Sequence, residues 1–81
     1  AYALADTILQ ESPGHLFGYI IRGTAADLQG DAAAASRAGR DFLAHYDREM
    51  SAKRVEYQEH RAVVEEFRQR AEKKFPPSSR P

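Results

Sequence analysis

Glu56 and His60 stand four residues apart, which on a helix puts a carboxylate and an imidazole one turn from each other on the same face. Such a pair can share a metal ion. A carboxylate-bridged bundle site, however, takes Glu-x-x-His motifs from more than one helix, and the chain holds no second set. His60 therefore reads as a polar residue that fixes register or meets a partner acid, and no metal ligand is assigned. His15, near a helix start, and His45, beside Tyr46, read as surface or half-buried fillers rather than general bases. Serines and acids are present, but no spacing brings nucleophile, base and oxyanion donors together. No catalytic residue and no cofactor-binding residue is assigned, and an enzyme is not expected. The chain has no phosphate loop and no dinucleotide fingerprint.

Composition narrows the rest. The absence of cysteine removes disulfides, thiolate chemistry and Cys-type metal sites together. Twelve Lys and Arg against twelve Asp and Glu give no net bias toward nucleic acid or an anionic membrane. Charge is uneven along the chain: residues 1–31 hold one arginine and four acids, and residues 68–81 hold five Lys or Arg and one acid. Basic residues at a helix C-terminus complement its dipole, which accounts for Arg68, Arg70, Lys73 and Lys74 without a ligand. No apolar run approaches the roughly 20 residues of a membrane span; Leu16 to Ile21 is far too short and could make peripheral contact only. At 81 residues a single hydrophobic core is marginal. The chain opens Ala1-Tyr2 without methionine, as expected of a processed protein or of part of a longer one. An intracellular or organellar setting is favoured, with a mitochondrial assembly as the working guess.

The elements that would position these residues are all helical. Leu4, Ile8 and Leu9 at helical spacing predict a short helix over 1–10, and Ser12-Pro13 reads as the cap and first turn of a second helix running to about Gln29. Gly30-Asp31 then predicts a tight hairpin turn, glycine closing one helix and aspartate capping the next. Residues 1–30 are thus short N-terminal helices, residues 31–75 one long amphipathic helix, and residues 76–81 a polar proline-containing tail. Asp31 to Lys74 contains no proline and, in Gly39, a single glycine, so about 43 residues would make a rod of roughly 65 Å. Pro76-Pro77 stops it.

The rod carries a heptad-like seam of Leu43, Tyr46, Met50, Tyr57, Val64, Phe67 and Ala71, interrupted by Lys53, His60 and Lys74. The second helix can fold back over the upper half of the rod only, leaving the lower half open. Helical pairs Glu49–Lys53, Glu65–Arg68 and Glu66–Arg70 would support that exposed stretch. Tyr46, Met50, Tyr57, His60, Val64, Phe67 and Ala71 are therefore the expected partner contacts. The Gly14-x-x-x-Gly18 spacing, with Tyr19 and Ile20, gives a second expected contact surface.

The fold class expected is all-α, an extended hairpin in which short helices fold back on one long C-terminal helix that packs with a partner. In outline it resembles the dimerisation arms of bacterial winged-helix regulators and the all-helical accessory subunits of respiratory or ribosomal assemblies, with no residue motif behind either likeness. The function expected is a non-enzymatic accessory subunit of a larger protein assembly, a mitochondrial or other membrane-associated complex among the settings considered, acting through helix-mediated contacts. The alternative is a homodimerising coiled-coil module of a transcription regulator. Partners are other protein chains or a second copy; neither nucleic acid nor a cofactor is expected.

Overall fold

The computed structural model describes residues 3–76 and contains helices α1 (Ala3–Glu11), α2 (Leu16–Leu28), α3 (Ala32–Ser51), α4 (Val55–Glu59) and α5 (Arg61–Lys74). No strand occurs among the described residues. Contacts give the directions. Asp6 binds Arg22 and Leu9 lies over Gly18, so α1 and α2 are antiparallel; Phe42 meets Phe67 and Lys74 reaches Ser36, so α3 and α5 are antiparallel. Phe17 touches His60 while Asp27 binds Arg70, so α2 and α5 run parallel across α3. Leu16, Tyr19, Ile20, Phe42, Tyr57 and Val64 form the buried core between them.

The hairpin turn is built as its residues dictate. Gly30 adopts φ 73°, a left-handed value that glycine takes without strain. The Asp31 carboxylate accepts from the Ala34 amide at 3.0 Å and caps α3. At the other end α5 stops at Lys74, two residues before Pro76. Residues 77–81, which hold most of the expected tail, and residues 1 and 2 lie outside the described residues.

Two expectations are corrected. Ser12 does not cap α2; Ser12 to His15 form a turn closed by the His15 amide on the Ser12 carbonyl at 3.0 Å, with Pro13 second and Gly14 third at φ 85°. That is the type II pattern, in which proline and glycine occupy their preferred places. His15 does the capping instead, its Nδ1 accepting from the Phe17 amide.

The larger correction concerns the rod. Asp31 to Lys74 is three helices, not one, and the molecule measures 32 Å along its longest axis. The chain reverses over Ala52 to Arg54, where Lys53 takes φ 54°. A left-handed L-residue costs about 1–2 kcal/mol. Burying one large apolar side chain returns about 1.5–3 kcal/mol, and the reversal puts Tyr57, Val64, Phe67 and Ala71 against this chain's own core. Burial wins, and the lower seam finds its cover within the molecule.

Candidate functional site

The chemistry-bearing residues converge at one end of the bundle, where the turn before α2 meets the turn around α4. His15 Nδ1 is occupied by the Phe17 N–H, so the ring proton sits on Nε2, which donates to Glu56 Oε2 at 2.8 Å. The Tyr57 hydroxyl accepts from the Leu16 amide at 2.9 Å and donates to Glu49 Oε1 at 2.7 Å. Arg54 Nε also donates to Glu49 Oε1, at 3.1 Å. Tyr57 is 1% exposed, and among the described residues every buried side-chain nitrogen or oxygen has a partner. The arrangement holds protons in place between the turn before α2 and the turn around α4.

Electrostatics agree with that role. The hydrogen bond from His15 holds the Glu56 carboxyl below its ordinary value. Burial pushes the Tyr57 phenol up, and its bond to Glu49 adds to the shift. A phenol held protonated this firmly serves as a clasp between the start of α2 and the α3–α4 turn. Its neighbours orient Phe17, whose ring stands edge-on to Tyr57 at 5.5 Å and to His60 at 5.8 Å.

The expected partner contacts divide. Tyr57, Val64 and Ala71 are buried in this chain, while Tyr46, Met50 and Phe67 pack half-buried against the same core. Only His60 stands exposed. The second expected surface is likewise used internally. Leu9 lies so close over Gly18 that a Cβ there would come within 2.5 Å of Leu9 Cγ, and a Cβ on Gly14 would come within 2.9 Å of His45 Cδ2. Tyr19 stacks on His45 at 5.3 Å, and Ile20 is core.

The charge pairs divide too. Glu65 and Arg68 meet at 2.9 Å as their spacing predicts. Glu49 goes to Arg54 rather than Lys53, and Arg70 crosses to Asp27 rather than binding Glu66. Glu56 is drawn away from His60 by His15, and among the described residues no group of three or more His, Asp or Glu could hold a metal ion. No described helix is long and apolar enough to cross a membrane.

Besides Val55, which stands 66% exposed on α4, the apolar residues open to an outside contact group on the second apolar side of α2, the side that helical spacing gives to Phe17, Ile21 and Leu28. Core-facing residues of α2 leave Phe17, Ile21, Thr24 and Leu28 along its outer side. Leu28 is 85% exposed. Phe17, Ile20 and Ile21 line a shallow apolar groove with His60 and with Val63 of α5, itself 51% exposed. On α1, helical register puts Leu4 and Ile8 on the flank opposite Asp6, and Leu4 is 62% exposed. Phe17, Ile21, Thr24 and Leu28 recur at steps of four, three and four, so helical spacing marks this strip in the sequence.

No family model, curated protein or solved structure matches the chain.

Proposed function

We propose that the protein is a non-enzymatic accessory unit of a larger protein assembly that acts through helix-mediated contacts. The observation that carries this reading is the apolar strip on the outer side of α2, half-buried at Phe17 and Ile21, exposed at Leu28 and flanked by exposed Val63. Exposed apolar residues grouped on one face mark interaction surfaces. His15, Glu56, Tyr57 and Glu49 are engaged with one another or with backbone in the clasp, which supports the non-enzymatic part of the reading. Tyr57, Val64 and Ala71 of the coiled-coil seam are buried within one chain, which favours this reading over a coiled-coil homodimer.

The test is size-exclusion chromatography with light scattering on extract from the native source, comparing the unaltered chain with Leu28→Asp combined with Val63→Asp. The unaltered chain is expected well above its own 9.1 kDa and the variant at the position of the free protein. A chain that runs free in both forms, or a variant that stays in the same complex, overturns the reading.

A further inference from the structure

Acids border the apolar strip at its Phe17 end and along its middle, while Arg70 and Lys73 of α5 stand toward its Leu28 end. Glu11 lies seven residues from Leu4 on the same side of α1, Glu59 ends α4 beside His60, and Glu66 follows Val63 by three residues on α5. All three are exposed, and none makes an ion pair among the described residues. Arg70, the cation alongside, is held by Asp27 at 3.1 Å. Lys73 follows Arg70 by three residues, about one turn past the Asp27 pairing at the end of α2. We infer that this face receives an amphipathic helix of another protein, one whose apolar stripe is bordered by lysine or arginine; the inference rests on the function proposed above.

Dimension and charge select that occupant. From Phe17 to Leu28 the strip is about 16 Å long, the length of about three turns of a helix, and the groove of Phe17, Ile20, Ile21, His60 and Val63 lies at one end of it. Carboxylates on the rim favour a basic partner through encounter rate and salt dependence. A second copy docked symmetrically through this face would bring Glu59 and Glu66 toward the acids of its mate. An anionic bilayer meets the same repulsion.

The experiment uses the full chain, isotope-labelled, and a synthetic peptide of about 15 residues with leucines at helical spacing and flanking lysines, against the same peptide with glutamates for the lysines. The lysine peptide is expected to move the amide signals of Phe17, Ile21, Thr24 and Leu28, and to bind about tenfold more tightly than the glutamate peptide. Raising salt should weaken it, and Glu59→Lys with Glu66→Lys should cost about tenfold in affinity. Equal binding of the two peptides, signals moving elsewhere, or binding to phosphatidylserine vesicles with the peptide ignored would overturn the inference. A concentration-stable homodimer that covers the strip would overturn it as well. If the lysine peptide fails while Leu28→Asp with Val63→Asp still releases the chain from its native complex, the partner's chemistry is wrong and the proposed function stands. If both fail, both fall.

Discussion

The hydroxyl of Tyr57 stands between the Leu16 amide and the Glu49 carboxylate, bonded to both, and so joins the first residue of α2 to the last turn of α3. One buried oxygen thus serves as acceptor for an orphan helix donor and as donor to an acid.

Tyr57→Phe should therefore be costly although it changes a single atom. The Leu16 N–H would lose its acceptor in a buried place, and Glu49 would keep only Arg54. An unsatisfied buried group costs about 1–3 kcal/mol. A urea melt should show a lower midpoint at unchanged slope. A loss under about 0.5 kcal/mol would mean that solvent reaches the Leu16 amide.

Lys53→Gly distinguishes the folded bundle from a continuous rod by the sign of its effect. At φ 54° glycine relieves the left-handed strain of lysine and should raise stability by about 0.5–1 kcal/mol. In an unbroken helix the same change would lower it by about 1 kcal/mol. Thermal melts of the two proteins read the sign directly.

Gly18→Ala improves helix propensity yet should destabilise, because its methyl would come within 2.5 Å of Leu9 Cγ and α1 must move. Leu9→Ala removes the obstacle. In a double-mutant cycle the Gly18→Ala penalty, about 1–3 kcal/mol alone, should shrink or vanish on the Leu9→Ala background. Additive losses would place Leu9 away from Gly18.

Stability should fall at both ends of the pH scale. Glu56 and Glu65 have folded values below their ordinary 4.5, owing first to hydrogen bonds from His15 and Arg68 respectively, so their stabilisation is complete above that value and lost as pH falls below it. Tyr46 is pushed up to about 12 by burial and its bond to Glu65, so its stabilisation is complete below the ordinary 10.0 and lost as pH rises from there toward 12. Burial raises Tyr19 and Tyr57 likewise. Melting temperature against pH should be a plateau with two shoulders, and tyrosinate absorbance should lag in the folded protein. Normal titration of all the tyrosines would contradict the burial described.

The all-helical class, the Gly30–Asp31 turn and the stop before Pro76 were legible because glycine, aspartate and proline act there through local backbone chemistry. The break at Lys53 was not, since Ala52, Lys53 and Arg54 are good helix formers and the reversal is driven by burial of Tyr57 and Val64 far along the chain. A trace of it existed. Lys53, His60 and Lys74, the polar residues that interrupt the seam, are where the chain turns or a helix ends. The clasp could not be read in advance, because His15 and Glu56 are 41 residues apart and only the folded chain brings them together. Charge pairs at helical spacing competed with cross-helix partners, and Arg70 went to Asp27.

The reversal at Lys53 also bears on how copies of this chain can entangle. If the dihedrals over Ala52 to Arg54 open into helix, α5 leaves its own α3, and its Val64, Phe67 and Ala71 fit the α3 of a second copy in the same register. Closed and exchanged forms then share their core contacts and differ in a three-residue hinge, the geometry of a domain swap. The left-handed turn at exposed Lys53 is the point at which the two forms would part.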